Sequence, residues 1–358
     1  MAGTRVLVTG IDGYIGSVLG AYLLEKGFDV TGIDCGFYRD GWLYNDPRPR
    51  PLTLTKDIRR ITQRDLEGFA AVVHLAELSN DPLGELNERT TYDINHGGSV
   101  SLAKACKEAG VSRFVYTSSC SVYGAAEDGL DCTELSRPNP QTAYAKCKVL
   151  VEQEVGSLAD SRFSPVFLRN ATAFGRSPRM RFDIVLNNLA GLAWTTRQIR
   201  MTSDGTPWRP LVHVEDICQA IALALSAPRE AIHNEIFNVG DDEQNYRIGE
   251  IATIIGQVFD NCTVSLGRSN GDNRSYRTSF GKIRRHLPEF QCKWSAKLGA
   301  QQLRECFEQV QMTDDMFSFR AFTRLRQLTH LISTQQIDSD FYWRHVDQGN
   351  GTKLSRPL

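Results

Sequence analysis

The chain has 358 residues, 41% of them hydrophobic and 23% charged, with a formal net charge of −1. That length suits one large domain or two modest ones. Near-neutrality removes the general electrostatic pull on nucleic acid, and no run of about 18 apolar residues marks a membrane span. The opening residues lead straight into a strand-like run, without the basic-then-apolar pattern of a secretory leader.

In chain order, Val6, Leu7, Val8 and Thr9 form a short apolar run that stops at Gly10. Residues 14–26 then follow helical spacing, with Ile15, Val18, Leu19, Tyr22 and Leu23 on one face and Gly27 as the stop. Residues 28–33 read as a second strand and 72–76 as another; a helix over 100–109 ends at Gly110. Strands follow at 114–117 and 166–168. Strands alternating with helices predict an α/β fold, a doubly wound parallel sheet covered on both faces. Beyond about Arg169 the composition shifts toward Arg, Asn, Ser and Gly. Residues 216–225 (a helix) and 236–239 (a strand) look like a return to the sheet. The expected organisation is a dinucleotide-type domain over 1–170 with 211–245 returning to it. A smaller, discontinuous lobe takes 171–210 and 246–297, and a helical tail takes 298–358. The tail is expected to cover that lobe or to serve assembly.

The first strand–helix junction carries Gly10-Ile11-Asp12-Gly13-Tyr14-Ile15-Gly16. In such a turn the first glycine allows the sharp bend, the second lets backbone approach a pyrophosphate, and the third packs helix on sheet. The helix start at Tyr14 and Ile15 offers free N–H groups to phosphate. Asp34 ends the second strand, where a carboxylate takes ribose hydroxyls and repels a 2′-phosphate, favouring NAD over NADP. Asp57, Ile58, Leu75 and Ala76 end the next two strands and flank the same crevice. Tyr144 and Lys148 stand four apart, hence on one helix face; the ammonium favours the ionised phenol, a useful base for an alcohol proton.

The nine cysteines include no pair with metal-site or redox spacing, so no metal is expected. Scattered single thiols fit a reducing, cytoplasmic setting.

Taken with His74-Leu75-Ala76, Asn95, the hydroxyl-rich strand end 117–121 and the stretch 209–216, these residues closely resemble the extended short-chain dehydrogenase/reductase family, in its nucleoside-diphosphate-sugar epimerase/dehydratase branch. The resemblance spans roughly residues 4–290 and implies a Rossmann-type fold with NAD as cofactor. It implies Tyr144 as general base and acid, Lys148 tuning it and binding the nicotinamide ribose, and Ser119 bonding the reacting sugar oxygen. Asn95 is implied on the cofactor side. Ser79, Thr172, Asn188, Arg209 and Arg274 are implied on the substrate side, the arginines suiting a diphosphate. A homodimer through a four-helix bundle of the helices near 85–109 and 142–158 is implied as well.

Dehydratases of this branch carry an Asp-Glu pair after the active-site hydroxyl residue. This chain has Cys120 and Ser121 there, which disfavours 4,6-dehydration. Cys120 is also one residue out of step with the cysteine of 3,5-epimerising relatives, which on a strand turns it to the opposite face. The reading is a 4-epimerase working through a 4-keto sugar. A 4-ketoreductase, using the same residues reductively, is the main alternative; a non-catalytic NAD-binding module is the remote one.

Overall fold

A computed structural model describes residues 3–79, 87–125, 131–201, 203–268 and 274–344. Seven parallel strands form the central sheet: β1 (Arg5–Thr9), β2 (Asp29–Asp34), β3 (Leu52–Thr55), β4 (Ala71–His74), β5 (Arg113–Ser119), β6 (Ser164–Asn170) and β7 (Glu235–Val239). Their order is 3-2-1-4-5-6-7. The order reverses between β1 and β4, and ligands of doubly wound sheets bind outside the strand ends at such a point.

Successive strand residues point to opposite faces, and both faces are apolar. Val6, Val8, Val73, Val115, Val166 and Leu168 pack on one side with α1 (Gly16–Glu25) and Ile217 and Ile221 of α5 (Val214–Ser226). Leu7, Val72, Phe114, Tyr116 and Phe167 face the other side, against α2 (Ser99–Glu108) and α3 (Ala143–Gly156). β4 and β6 are buried throughout, as central strands covered twice must be.

Three short strands, Thr172–Phe174, Trp208–His213 and Asn245–Arg247, make a second sheet. α4 (Val185–Thr196), α6 (Ile248–Val258) and α7 (Ala296–Gln309) pack together beside it. Phe182, Leu186, Ile255 and Phe307 belong to the same apolar cluster as Val6 and Val8, so one core runs through both parts. No helix among the described residues is long and apolar enough to cross a membrane.

The tail departs from expectation. After α7 come a short helix, Asp314–Ser318, and α8 (Arg324–Ser333), and the chain then continues without helix to residue 344. Rather than covering only the second lobe, this segment crosses to the ends of β2 and β3. Leu328, Leu331, Ile337 and Phe341 bury against Phe37, Ile58, Leu78 and Ile94. Gln327 donates to the Phe37 carbonyl at 2.9 Å, and Trp343 to that of Cys35 at 2.7 Å. The apolar positions of α8 have the helical period that the sequence shows, but their partners are 230 or more residues away.

Candidate active site

A cleft of about 400 Å³ opens at the strand ends where the order reverses. The glycine turn forms one wall. Gly10 holds φ +73°, and a Cβ there would stand 2.9 Å from the Ala76 backbone nitrogen; a Cβ on Gly16 would stand 2.1 Å from the Gly10 carbonyl oxygen. Only hydrogen fits at either position. Gly13, Tyr14 and Ile15 complete this wall, and the Tyr14 hydroxyl ties the turn to the second lobe by donating to the Gly175 carbonyl at 2.6 Å.

Asp34 lines the cleft and accepts from the backbone N–H groups of Asp12 (3.1 Å) and Gly36 (2.8 Å). Burial pushes its carboxyl upward against these two donors. Asp57, Ile58, Leu75 and Ala76 also line the cleft. Asp57 lies just past β3; its carboxylate caps a short turn and is gripped by Arg59 at 2.7 Å. Asn95 does not reach the cleft. Its amide accepts from the Leu78 N–H and donates to the Leu78 carbonyl, at 2.8 and 3.1 Å, so it fixes the loop after β4 from behind.

Thr142 caps α3 through the Ala145 N–H, which starts the helix directly before Tyr144. One helical turn later comes Lys148, its Nζ 5.3 Å from the centre of the Tyr144 ring; both residues line the cleft. Lys148 donates to the Thr117 carbonyl at 2.5 Å and pairs with Glu77 at 2.7 Å. Glu77 also accepts from the Tyr116 hydroxyl at 2.5 Å. Burial acts to lower the Lys148 ammonium, but the Glu77 carboxylate, together with Tyr144 and Glu152, outweighs it and the net shift is upward. Burial pushes Glu77 upward. The adjoining His74, between Thr9 and Ser99, is brought down to about 3 by burial and then by the Lys148 charge, so it is neutral.

Ser119 lines the cleft and its hydroxyl accepts from the Ser121 N–H at 3.1 Å. Ser118 instead donates to Glu152, which is locked to Arg169 at 2.6 Å beneath the site. Cys120 is fully buried, donates to the Arg169 carbonyl, and forms no part of the cleft wall. The reason differs from the strand argument: Cys120–Tyr123 is a tight 3₁₀ turn, and the turn sets its direction.

At the other end of the cleft stand Ser79, Thr172, Arg209 and Arg274. Arg209 is braced by the carbonyls of Trp208 and Arg274. Ser79 takes a hydrogen bond from Arg181 at 3.1 Å, and Arg181 pairs with Asp183 at 2.8 Å. The Asn188 side chain turns away from the cleft and donates to the Phe182 carbonyl at 2.8 Å. Asn80, Asp81, Asp272 and Asn273, neighbours of these substrate-side residues, lie outside the described residues. Sequence reasoning missed Glu77, Tyr38, Asp183 and Arg324 in the wall; none belongs to a spaced motif, and Arg324 lies beyond about residue 290, where the resemblance ends.

A cradle that no Cβ could enter, a carboxylate at the end of β2 and an apolar wall of Ile58, Leu75 and Ala76 suit a dinucleotide. Residues 6–240 match the family model described as NAD dependent epimerase/dehydratase family. The chain belongs to this family. It is an enzyme family of the extended short-chain dehydrogenase/reductase type, and NAD is the cofactor. The family member described here is 30% identical over 271 residues to the UDP-glucose 4-epimerase of Corynebacterium glutamicum, covering 71% of this chain and 80% of that protein. It is 30% identical over 340 residues to UDP-glucose 4-epimerase 4 of Oryza sativa subsp. japonica, covering 84% and 89%. Among solved structures it resembles the dTDP-glucose 4,6-dehydratase DesIV of Streptomyces venezuelae, solved with NAD bound, at 25% identity and a TM-score of 0.74, covering 85% of this chain and 97% of that one.

Proposed function

We propose that this enzyme is a 4-epimerase of a nucleoside-diphosphate sugar. The observation that carries the reading is the state of the carboxylates in the cleft wall. Asp34 is held by two backbone amides, Asp57 by Arg59, Glu77 by Lys148 and Tyr116, and Asp183 by Arg181. A dehydratase needs a carboxyl free to move a second proton, and position 120, next to Ser119, presents a buried thiol instead. Chemistry that needs one proton site, Tyr144, is therefore favoured.

Gly10, Gly13, Tyr14, Ile15, Gly16, Asp34, Asp57, Ile58, Leu75, Ala76 and Lys148 would hold the NAD. When bound, it supplies a reversible hydride acceptor at C4 of the sugar. Lys148 biases Tyr144 toward phenolate. Tyr144 takes the proton of the sugar 4-hydroxyl, and Ser119 bonds the same oxygen. The 4-keto sugar turns over, hydride is returned to the other face of C4, and Tyr144 returns the proton to the 4-oxygen. Arg209 and Arg274 hold the diphosphate during that rotation, with Ser79 and Thr172 beside the sugar. In this reading residues 171–210 and 246–297 act as the substrate lobe. A 4-ketoreductase would use the same groups in the reductive direction alone.

The deciding experiment offers the enzyme a panel of nucleotide sugars deuterated at C4, with NAD, in deuterated water. A changed C4 configuration with deuterium retained supports epimerisation. Stoichiometric consumption of NADH with a 4-keto sugar, and no epimer, would replace it with the reductase. Solvent deuterium at C5 would point to dehydratase chemistry.

A homodimer is part of the proposal. His96, just before α2, and Glu154 of α3 pair at 2.6 Å, and Leu150, one turn before Glu154 on the same helix face, is half-buried. Two such pairs would make a four-helix bundle. Light scattering at twice the chain mass supports it, and a one-chain mass rejects it. All nine cysteines are unpaired, which supports a cytoplasmic setting.

A further inference from the structure

Arg324 is the first residue of α8 and is 4% exposed, yet it lines the cofactor side of the cleft. It lies well beyond the 6–240 region that matches the family. Its guanidinium lies 3.9 Å over the Tyr38 ring. Among the described residues its side chain has neither a hydrogen-bond acceptor nor a carboxylate within ion-pair distance; only its backbone N–H is engaged, by Asp183 at 3.0 Å. Arg181, close enough to repel it, already spends its charge on Asp183.

A buried guanidinium with an aromatic ring against it but no acceptor among the described residues is costly. Nothing about its position is loose. The apolar side of α8 is sunk into the loops after β2 and β3, and Gln327 and Trp343 are hydrogen-bonded to the Phe37 and Cys35 carbonyls. The fold therefore spends tertiary contacts on holding a cation, with its guanidinium donors, in this wall. The matching ligand group is an anion. The Tyr38 ring and the nearby Asp34 put the arginine toward the β2 side of the cleft, with Asp183 on its other side, and the anionic groups of NAD are its two bridging phosphates.

We propose that the C-terminal tail completes the dinucleotide site, with Arg324 binding the pyrophosphate of NAD across from the glycine turn. Planar guanidinium suits phosphate oxygens, and its stacking on Tyr38 orients the fork before the ligand arrives. The proposal rests on NAD being the cofactor and not on which sugar reaction follows, so it is tested by binding without turnover.

Affinities of the full-length apo-protein for NAD, ADP-ribose, NADP and adenosine are measured by titration calorimetry for wild type, Arg324→Gln and Arg324→Lys. Far-UV circular dichroism confirms that each variant is folded. Arg324→Gln is expected to weaken NAD and ADP-ribose about 10- to 100-fold, the range for a hydrogen bond to a charged group. Adenosine, without phosphate, should change less than about twofold. Arg324→Lys should fall between wild type and Gln for NAD, and the loss of NAD affinity with added salt should be steeper in wild type than in Gln. The proposal is overturned if NAD binds the Gln variant as it binds wild type, or if adenosine is lost in parallel. Loss confined to NADP would also overturn it, by assigning Arg324 to a ribose phosphate.

Discussion

Lys148 and Glu77 form an ion pair of 2.7 Å between side chains only 4% and 2% exposed, in the wall of the cleft beside Tyr144. Lys148 is the group expected to tune the Tyr144 phenol, so Glu77 sets the field in which that tuning occurs. The pair also anchors the loop after β4 to α3, since Glu77 reaches Tyr116 of β5 as well. Glu77 is therefore a positioning residue for the proposed base.

The pH dependence follows with its sign. In the folded protein burial acts to lower Lys148, but Glu77, the largest of the raising groups, together with Tyr144 and Glu152 brings it above its ordinary value. Its charge therefore persists through neutral pH and is lost only as pH climbs past its raised value. In Glu77→Gln, burial loses its largest opponent and the alkaline limb of the kcat/KM profile moves to lower pH. An alkaline limb identical to wild type would show that Glu77 does not act through Lys148.

Removing one charge of this pair should cost more than removing both. Glu77→Ala leaves a buried ammonium alone and is expected to lower stability by about 3–5 kcal/mol. Glu77→Ala combined with Lys148→Met should recover much of that loss. Urea unfolding of the two variants makes the comparison; equal losses would mean the pair is not coupled.

Tyr144→Phe removes the proposed proton site and keeps the ring. Turnover is expected to fall about 10²- to 10⁴-fold, while NAD remains bound, since the glycine turn and Asp34 are untouched. Steady-state rates together with the NAD content of the purified protein check this. Undiminished turnover would exclude Tyr144 as the base.

Gly16→Ala places a methyl group where 2.1 Å separates it from the Gly10 carbonyl oxygen. Backbone has to move at the start of α1, and the glycine turn moves with it. NAD affinity is expected to drop by about tenfold or more, measurable by fluorescence titration. Glu25→Ala, exposed at the far end of the same helix, serves as the neutral comparison.

Acid should weaken the fold partly through His74. Its folded value of about 3 lies below the usual 6.5 because of burial first and the Lys148 charge second. The unfolded chain therefore takes up the proton more readily. The stability contributed by neutral His74 is full above about pH 6.5 and shrinks as pH falls toward 3. His74→Gln should flatten the decline between pH 7.5 and 5, by on the order of 1–2 kcal/mol. Urea midpoints at the two pH values measure it, and parallel declines would contradict the assignment.

The sequence by itself determined the parts of this protein that are local. The glycine turn of residues 10–16, Asp34 at a strand end and the four-residue step from Tyr144 to Lys148 all concern groups that one turn or one strand holds together. Backbone geometry leaves them little choice of neighbour, so their spacing already specifies their relation. The alternation of strand and helix likewise predicted the doubly wound sheet, because each element's apolar pattern states which faces must be covered.

What only the tertiary structure decided concerns partners far apart in the chain. Asn95 and Asn188 have the residue type for ligand binding, but packing turns their amides to the Leu78 and Phe182 backbones. Glu77 meets Lys148 across 71 positions, and Arg324 meets Tyr38 across 286. No periodicity records such meetings, because they arise when the sheet order reverses between β1 and β4 and when the tail crosses back over the ends of β2 and β3. The charge count near zero shows only that positive and negative groups balance; burial and the long return of the chain decide which of them face the ligand.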